Sequence, residues 1–398
     1  MLLIVFAIVA GCTGAATRHR VSGLTTTTLP RFTTTTAPRT IATAPVLPGP
    51  DVQRLLNDER RTYGSPGALA VVQIGHRHWF VSSGSADIHG TEITSRTRFR
   101  IASITKPLLA ALVLDAASRH ELSLDDVVNE LLPGLLRPDQ PITMRMLLNH
   151  TSGVFDEAND GNPGADIKRL NSPQLRHQAR QLIARRRAGQ RVVYPDHLLV
   201  ALAETHPRYF APGSSYHYSR TDYQLAAMVL EHVTHSSLAT LMSTRIAEPL
   251  GLRHTTLAPT DLGSPELRGY GTNLTPGELV DLTDDLTLFG NGGSGGVIAT
   301  AEDVLTTMRA IVSGRLLSVA QVDDMKMPTV QSKNLYGLGL ITYHLTCGVF
   351  YGHEGGVAGT ASIAIVSTRG DIGAVIALNW RGSKDPQLPA LADKLLCT

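Results

Sequence analysis

Apolar residues cluster in short runs near both ends of the chain. Residues 68–74 and 79–84 form two such runs on either side of Gly75, and they predict a β-hairpin. Four more runs predict strands towards the C-terminus, at 336–345, 349–352, 360–367 and 373–380. Strands at both ends of a chain imply one antiparallel sheet assembled from both termini.

The remaining segments have helical patterns. Residues 52–61 predict an amphipathic helix, residues 107–121 a strongly apolar helix, and residues 388–396 a last helix. Thr300 opens another helix with a capping-box pattern. The sequence therefore predicts an α/β plus all-α fold over residues 51–398. Its antiparallel sheet is flanked by helices and interrupted by a helical insertion at about residues 110–290.

The N-terminus has the features of an export signal. Residues 1–11 are apolar and too short to span a bilayer, and Val9-Ala10-Gly11-Cys12 resembles a bacterial lipobox, although no Lys or Arg precedes it. We expect a signal peptide at 1–11 and a lipid on Cys12. A secreted form and a retained anchor are the alternatives. Residues 12–50 are rich in Thr and Pro and predict a disordered linker. These features predict an exported membrane lipoprotein that faces the cell wall or periplasm.

Composition excludes some functions. The 398 residues carry a net charge of only +2, which does not favour nucleic-acid binding, and Arg185-Arg186-Arg187 has the pattern of a solvated helix face. The cysteines match no zinc or redox spacing, and we expect no metal ion and no cofactor. We also expect the protein to be a monomer. In an oxidising compartment Cys347 and Cys397 could form a disulfide between the final sheet and the last helix.

The main chemical motif is Ser103-Ile104-Thr105-Lys106. Residues three apart on a helix share one face, so the Lys106 amine can reach the Ser103 hydroxyl and take its proton. Pro107 fits a helix start, where free backbone N–H groups can stabilise an oxyanion. Ser103 is the only serine in the chain with a lysine three residues later. The pattern predicts a nucleophilic serine.

Two further motifs follow this one in the chain. They are Tyr218-Ser219-Arg220 and Gly352-His353-Glu354-Gly355-Gly356. In this order the three elements resemble the serine β-lactamase and penicillin-binding family, especially class C β-lactamases and D-alanyl-D-alanine carboxypeptidases. Further matches lie at 147–153, 248–252, 292–303 and 336–339, so the resemblance covers residues 52–396.

The resemblance implies a role for each matching residue. Ser103 would be acylated, and Lys106 would be its partner in proton transfer. Tyr218 would carry the proton to the leaving group, its ionisation favoured by the adjacent lysine charge. The backbone N–H groups of Ser103 and Gly356 would form the oxyanion hole, and His353 would shape the electrostatics of the far wall.

Two positions depart from the family pattern. Arg220 replaces an Asn that bonds the substrate amide, and Glu354 replaces a Ser or Thr that often meets the substrate carboxylate. We expect Arg220, Glu354 and Gly355 to contact substrate, and a pair between Arg220 and Glu354 would narrow the cleft. The predicted function is a serine hydrolase that resembles D-alanyl-D-alanine carboxypeptidases and acts on a small molecule or peptidoglycan peptide. An esterase and a non-catalytic cell-wall-binding relative are the alternatives.

A second serine also matches a nucleophile pattern. Residues 292–296 satisfy Gly-x-Ser-x-Gly around Ser294, with Asp324 and His353 following in the order of an α/β-hydrolase triad. That motif requires a strand directly before it and a helix directly after it. Residues 284–291 make a poor strand and the next helix begins near Thr300, which favours a glycine-rich loop beside the cleft.

Overall fold

The computed structural model describes residues 49–138, 140–190, 192–257, 267–272, 279–283, 292–380 and 386–397. The predicted signal peptide, the lipidation site Cys12 and the linker up to residue 48 lie outside these ranges. The first helix begins at Gly49, inside the last residues of the predicted linker. Among the described residues, no helix is both long and apolar enough to cross a bilayer.

The main sheet has six antiparallel strands drawn from both ends of the chain. Their spatial order is β2-β1-β11-β10-β9-β8. The strands are β1 (Gly67–Ile74), β2 (Arg77–Gly84), β8 (Ile341–Leu345), β9 (Gly348–Val357), β10 (Thr360–Ser367) and β11 (Ile372–Leu378). Ala68 of β1 lies opposite Leu378 of β11, so the N-terminal hairpin and the C-terminal strands join in the middle of the sheet. This arrangement is the predicted one.

Within the described residues, five short strands form two smaller sheets. They are β3 (Arg98–Arg100), β4 (Thr256–Leu257), β5 (Tyr270–Thr272), β6 (Leu279–Asp281) and β7 (Val297–Thr300), in the orders β3-β7-β4 and β5-β6. Each has two to four residues, too few to show a period-two pattern, so the sequence pattern does not predict them.

Helices cover both faces of the main sheet and form the described part of the predicted insertion as far as Leu250, beyond which it contains β4, β5 and β6. The helices are α1 (Gly49–Tyr63), α2 (Thr105–Ser118), α3 (Val128–Leu131), α4 (Met144–Leu148), α5 (Pro163–Asp166), α6 (Pro173–Arg187), α7 (Asp196–Ala203), α8 (Arg220–Thr234), α9 (Leu238–Met242), α10 (Glu248–Leu250), α11 (Ala301–Val312), α12 (Val319–Lys326) and α13 (Leu388–Leu396). α1 and α13 share one apolar core with the sheet, and α2, α8 and α11 share another. α2 is buried on nearly every side, as expected of a helix that is apolar all round.

Two predicted strand boundaries are wrong. Of residues 336–345 only Ile341–Leu345 form a strand, because Gly339 has a positive φ of 76° and its N–H donates to Leu148 O. The motif around His353 lies within β9 and not between two strands, because β9 continues to Val357 along β10. Cys347, in the turn before β9, is bonded to Cys397 at the end of α13 with an S–S distance of 2.08 Å.

Candidate active site

Ser103 lies at the entrance of the central helix. It belongs to a single 3₁₀ turn, Ala102–Ile104, that runs directly into α2. Ala102 has a positive φ of 48°, which is unusual for a residue with a side chain and marks local backbone strain. Ser103 is only 9% exposed. The turn therefore holds the hydroxyl in one place, with a small part of its surface open.

Lys106 lies directly behind Ser103. Its Nζ is 3.0 Å from Ser103 Oγ and donates a hydrogen bond to Ser294 O at 2.8 Å. The side chain is fully buried. Burial, reinforced by the positive charge of Arg220, holds the pKa of Lys106 well below its usual range. Lys106 is thereby suited to be a neutral amine that accepts the serine proton.

Tyr218 completes the group on the other side of the serine. It precedes α8, and its hydroxyl donates to Ser103 Oγ at 2.8 Å. Lys106 Nζ lies 4.9 Å from the centre of its ring. Burial raises the pKa of Tyr218 above its usual value. The expectation that a lysine charge favours ionisation of Tyr218 is wrong, because burial disfavours the charged form of both groups. A neutral Tyr218 has a proton that it can donate.

His353 lies on β9, on the wall opposite α8. Its Nδ1 is 2.5 Å from Glu354 O, and its Nε2 is 3.0 Å from the hydroxyl of Tyr336. Burial, followed by the Lys106 charge, lowers the pKa of His353 to about 3. Because Nδ1 of the neutral ring faces the Glu354 carbonyl oxygen, Nδ1 carries the proton. Nε2 therefore accepts a hydrogen bond from the Tyr336 hydroxyl. His353 therefore adds no positive charge to the wall at neutral pH.

Gly355 brings β9 close to the nucleophile. A Cβ at this position would lie 2.3 Å from Ile101 O and 2.4 Å from Ser362 Oγ, so only glycine permits this approach. Gly355 and Gly356 both line the same cavity as Ser103, although Gly355 itself is buried. Gly356 thus lies beside the reacting serine, where the predicted oxyanion hole requires it, and the contact of Gly355 with substrate stays a prediction.

One cavity of about 330 Å³ opens over these residues. Its lining includes Ser103, Tyr218, Arg220, His353, Glu354 and Gly356. Arg220 is the first residue of α8, and Glu354 is an exposed residue of β9, so their charges lie in one cleft as predicted from the sequence. The hydroxyl of Tyr343 donates to Glu354 Oε1 at 3.4 Å.

The alternative nucleophile Ser294 is not part of a triad. Its hydroxyl is buried, and it is its carbonyl that contacts Lys106. Asp324 forms two hydrogen bonds with Arg145, at 2.7 and 3.0 Å, and His353 bonds Tyr336 and a backbone carbonyl instead. The glycine-rich loop 292–296 therefore fixes the lysine and supplies no nucleophile.

A buried network that the sequence did not predict lies behind Tyr218. His150 Nδ1 lies 3.0 Å from Asp222 Oδ2 and accepts from Ser219 N at 3.2 Å, while Ser152 Oγ donates to Asp222 Oδ1 at 2.5 Å. The rings of His150 and Tyr218 are 4.4 Å apart. The network fixes the start of α8 and thereby positions Tyr218. His150 and Ser152 lie in the motif at 147–153, which was the only sequence signal for them.

These groups can carry out acyl transfer. A neutral Lys106 can take the proton of Ser103 as the hydroxyl attacks a carbonyl, and Tyr218 can give its proton to the leaving group. Within the described residues, one cluster could hold a metal ion, and it is formed by Glu157, Asp166 and His206. The cluster contains none of the residues that contact Ser103.

Comparisons with known proteins agree with this geometry. A family model described as beta-lactamase matches residues 52–397. Penicillin-binding protein 4* of Bacillus subtilis is 25% identical over 287 residues, which are 69% of this chain and 58% of that protein. Esterase EstB of Burkholderia gladioli is 34% identical over 194 residues, 47% of this chain and 46% of that protein. The chain thus spans about half the length of these curated relatives.

A solved structure covers more of the chain. A D-stereospecific amidohydrolase from Streptomyces sp. superposes with a TM-score of 0.73 at 29% identity, over 88% of this chain and 99% of that chain. The fold class predicted from the sequence is confirmed by this match.

Proposed function

Since this chain belongs to the beta-lactamase family and is a serine hydrolase, we propose that it cleaves the amide bond of short D-amino acid amides and peptides that carry a free amino group. Ser103 attacks the carbonyl carbon and its proton passes to Lys106. The C–N bond then breaks as Tyr218 protonates the leaving amine, and Lys106 returns a proton to Tyr218. Water hydrolyses the resulting Ser103 ester.

Glu354 is the observation that carries the proposed substrate class. Its carboxylate lines the catalytic cavity at the position where the family often has a Ser or Thr that meets a substrate carboxylate. A negative charge at this place disfavours an anionic substrate group and favours an ammonium. The D-stereospecific amidohydrolase that matches almost end to end supports both the amide bond and the D configuration.

The test compares substrates that differ in one feature. We expect turnover of D-phenylalanine amide to exceed that of its L-enantiomer and that of N-acetyl-D-phenylalanine amide, which lacks the ammonium. A charge-assisted hydrogen bond is worth roughly 1.5–3 kcal/mol, so acetylation should lower kcat/KM about 10- to 100-fold. Glu354→Gln should reduce this preference for the free amine, and Ser103→Ala should abolish turnover. Equal rates on the free and acetylated amides would contradict the proposed substrate class.

Arg220 favours a second candidate, a D-alanyl-D-alanine carboxypeptidase. It lines the same cavity and can attract a terminal carboxylate. Faster cleavage of a diacylated peptide ending in D-Ala-D-Ala than of D-phenylalanine amide would establish this candidate. A chromogenic cephalosporin and a short nitrophenyl ester test the remaining activities of the family, and the ester is the substrate class of EstB. A protein that reacts with none of them, and not with a fluorophosphonate, would be the non-catalytic relative.

A double-mutant cycle measures whether the two cavity charges act together. Arg220→Asn and Glu354→Thr each restore the family residue, and each removes one charge from a common cleft. If the charges are coupled, each single change lowers kcat/KM on the amide and the double change recovers part of the loss. Additive effects would mean that each side chain acts on the substrate separately.

We also propose that the protein is an exported lipoprotein that acts as a monomer at the cell envelope. The apolar run before Cys12 supports the export, and the Thr/Pro tract supports a tether. Expressed with its own signal in a bacterial host, the protein should partition into detergent, and Cys12→Ser should release it. Light scattering of the purified protein tests the monomer. An unchanged membrane fraction with an intact N-terminus would identify an uncleaved anchor instead.

A further inference from the structure

Three ionisable side chains from separate segments meet next to the catalytic domain's α5. Glu157 lies in the loop after the 147–153 motif, Asp166 ends α5, and His206 follows α7. One ligand atom of each residue lies within 4.8 Å of those of the other two. His206 Nε2 is 3.1 Å from Asp166 Oδ2 and 4.0 Å from Glu157 Oε2. The sequence does not predict this cluster, because its three residues do not follow the spacing of any metal-binding motif.

The carboxylate of Glu157 is the unusual member of the cluster. Glu157 is 0% exposed, and within the described ranges neither of its oxygens has a hydrogen-bond partner. His206 Nε2 also lacks one, because its close contact with Asp166 does not have hydrogen-bond geometry. A buried carboxylate without a partner is costly, and polar groups in protein interiors are nearly always satisfied. The unpaired atoms of Glu157 and His206 therefore point to a ligand that accepts lone pairs, and Asp166 lies beside them.

We propose that Glu157, Asp166 and His206 bind a divalent transition-metal cation with the ligand preferences of Zn²⁺. Two carboxylates and one imidazole suit this ion, and their two negative charges balance its charge. Zn–O and Zn–N bonds of about 2.1 Å place tetrahedral ligand atoms roughly 3.4 Å apart. The distances of 3.1 and 4.0 Å from His206 Nε2 bracket that value, and one ligand atom of each residue lies within 4.8 Å of the others, so the three side chains would draw together around a bound ion.

Neighbouring groups hold Asp166 and His206 in place. Asp166 Oδ2 accepts a hydrogen bond from Asn162 N at 2.8 Å, and the ring of Phe155 stacks on His206 at 4.0 Å. Arg169 Nη1 lies 3.3 Å from His206 Nδ1. When Nε2 binds a metal, Nδ1 must carry the ring proton, so the Arg169 guanidinium has to turn away. The Arg169 side chain is 57% exposed and can do so.

Metal binding at this site would stabilise one wall of the catalytic cavity. Asn159 lines that cavity and lies two residues after Glu157. A backbone N–H of Glu157 donates to Thr221 Oγ1 at 3.3 Å, which connects the loop to the first turn of α8. The ion would therefore have a structural effect on the cleft without any contact with Ser103.

The test measures metal content and coordination in the full-length, tag-free chain. After removal of metal with a chelator, the protein is equilibrated with Zn²⁺ buffered in the low-micromolar range and analysed by elemental mass spectrometry. Co²⁺ in place of Zn²⁺ gives a visible spectrum that reports tetrahedral coordination. We expect one ion per wild-type chain. Glu157→Gln, which keeps the shape of the side chain, should weaken binding at least about tenfold. His177→Ala, on the exposed face of α6, is the matched control and should bind as the wild type does.

The proposal would be overturned by substoichiometric metal in the wild type or by equal affinity in the wild type and Glu157→Gln. If the metal-free Glu157→Gln protein does not fold by circular dichroism, Asp166→Asn takes its place with the same expected loss. Ser103→Ala should retain the ion, and loss of the ion from that variant would place it at the catalytic centre and also contradict the proposal. None of these readouts depends on the substrate.

Discussion

Replacing Lys106 separates its role as a base from its role as a charge. Lys106→Arg keeps a cation that can donate hydrogen bonds, but a guanidinium does not lose its proton in proteins. Lys106→Met keeps the apolar stem and removes the amine. Lys106 Nζ lies 3.0 Å from Ser103 Oγ, and burial lowers the pKa of the Lys106 amine. We therefore expect both variants to lack a base that takes the Ser103 proton during acylation. General-base catalysis contributes about 10²- to 10⁴-fold, so each should lose about 3 to 5 kcal/mol of transition-state stabilisation.

The pH dependence gives the second readout. Below its pKa Lys106 is protonated and cannot accept a proton, so wild-type kcat/KM should rise with pH as the amine becomes neutral. That acidic limb should disappear in Lys106→Met. Lys326→Met is the matched control. Like Lys106, Lys326 donates to the protein backbone, at Val312 O and Thr368 O, but it does not line the catalytic cavity. It should retain full activity.

Stopped-flow acylation with D-phenylalanine amide, or with the best substrate found, measures the effect directly. A Lys106→Arg protein that acylates within a few-fold of the wild type would refute the role of Lys106 as a base and leave only an electrostatic one. Thermal unfolding of each variant is needed as a control, because Lys106 is fully buried and its N–H also bonds Ser294 O.

Three other perturbations test the remaining parts of the structure. Tyr218→Phe removes the proton donor, so kcat on amides should fall about 10²- to 10⁴-fold, while a nitrophenyl ester, whose leaving group needs no proton, should lose much less; equal losses on both would exclude the donor role. Gly355→Ala places a Cβ 2.3 Å from Ile101 O and should lower both kcat and Tm, and an unchanged enzyme would show that β9 has room to move. Cys347→Ser with Cys397→Ser opens a loop of sequence separation 50 and should lower the free energy of unfolding by up to about 4 kcal/mol with activity retained; two free thiols in the intact mass of the folded wild type would contradict the bond.

Local spacing and resemblance were enough to predict the central group of the site. Ser103 and Lys106 are three residues apart on one helical turn, so their contact is a local property. Tyr218 and His353 lie far away in the sequence, and only the order of motifs indicated that they approach Ser103. The direction of the Tyr218 pKa was predicted wrongly, because burial of a side chain is not visible in a motif.

The missed features have one physical cause, which is that they depend on long-range packing. Ser294 acts through its carbonyl, and a backbone group leaves no signature in the side-chain pattern. His150 and Asp222 are 72 residues apart and become partners only when α8 packs near α4. The strands β3, β4 and β7 are too short to show alternation, and they form because the loops that carry them are brought together by the larger fold.

The order of strands in the main sheet has a consequence for how the protein is made. β1 and β2 are synthesised before the other strands of the main sheet. The second neighbour of β1 is β11, which comes last among these strands in the sequence. Ser103 is likewise synthesised long before His353. Contacts between distant segments slow folding because the intervening chain must first be closed into a loop. Until β11 has been synthesised, the growing chain therefore has an apolar edge on β1 that lacks its native partner, and such an edge is open to aggregation.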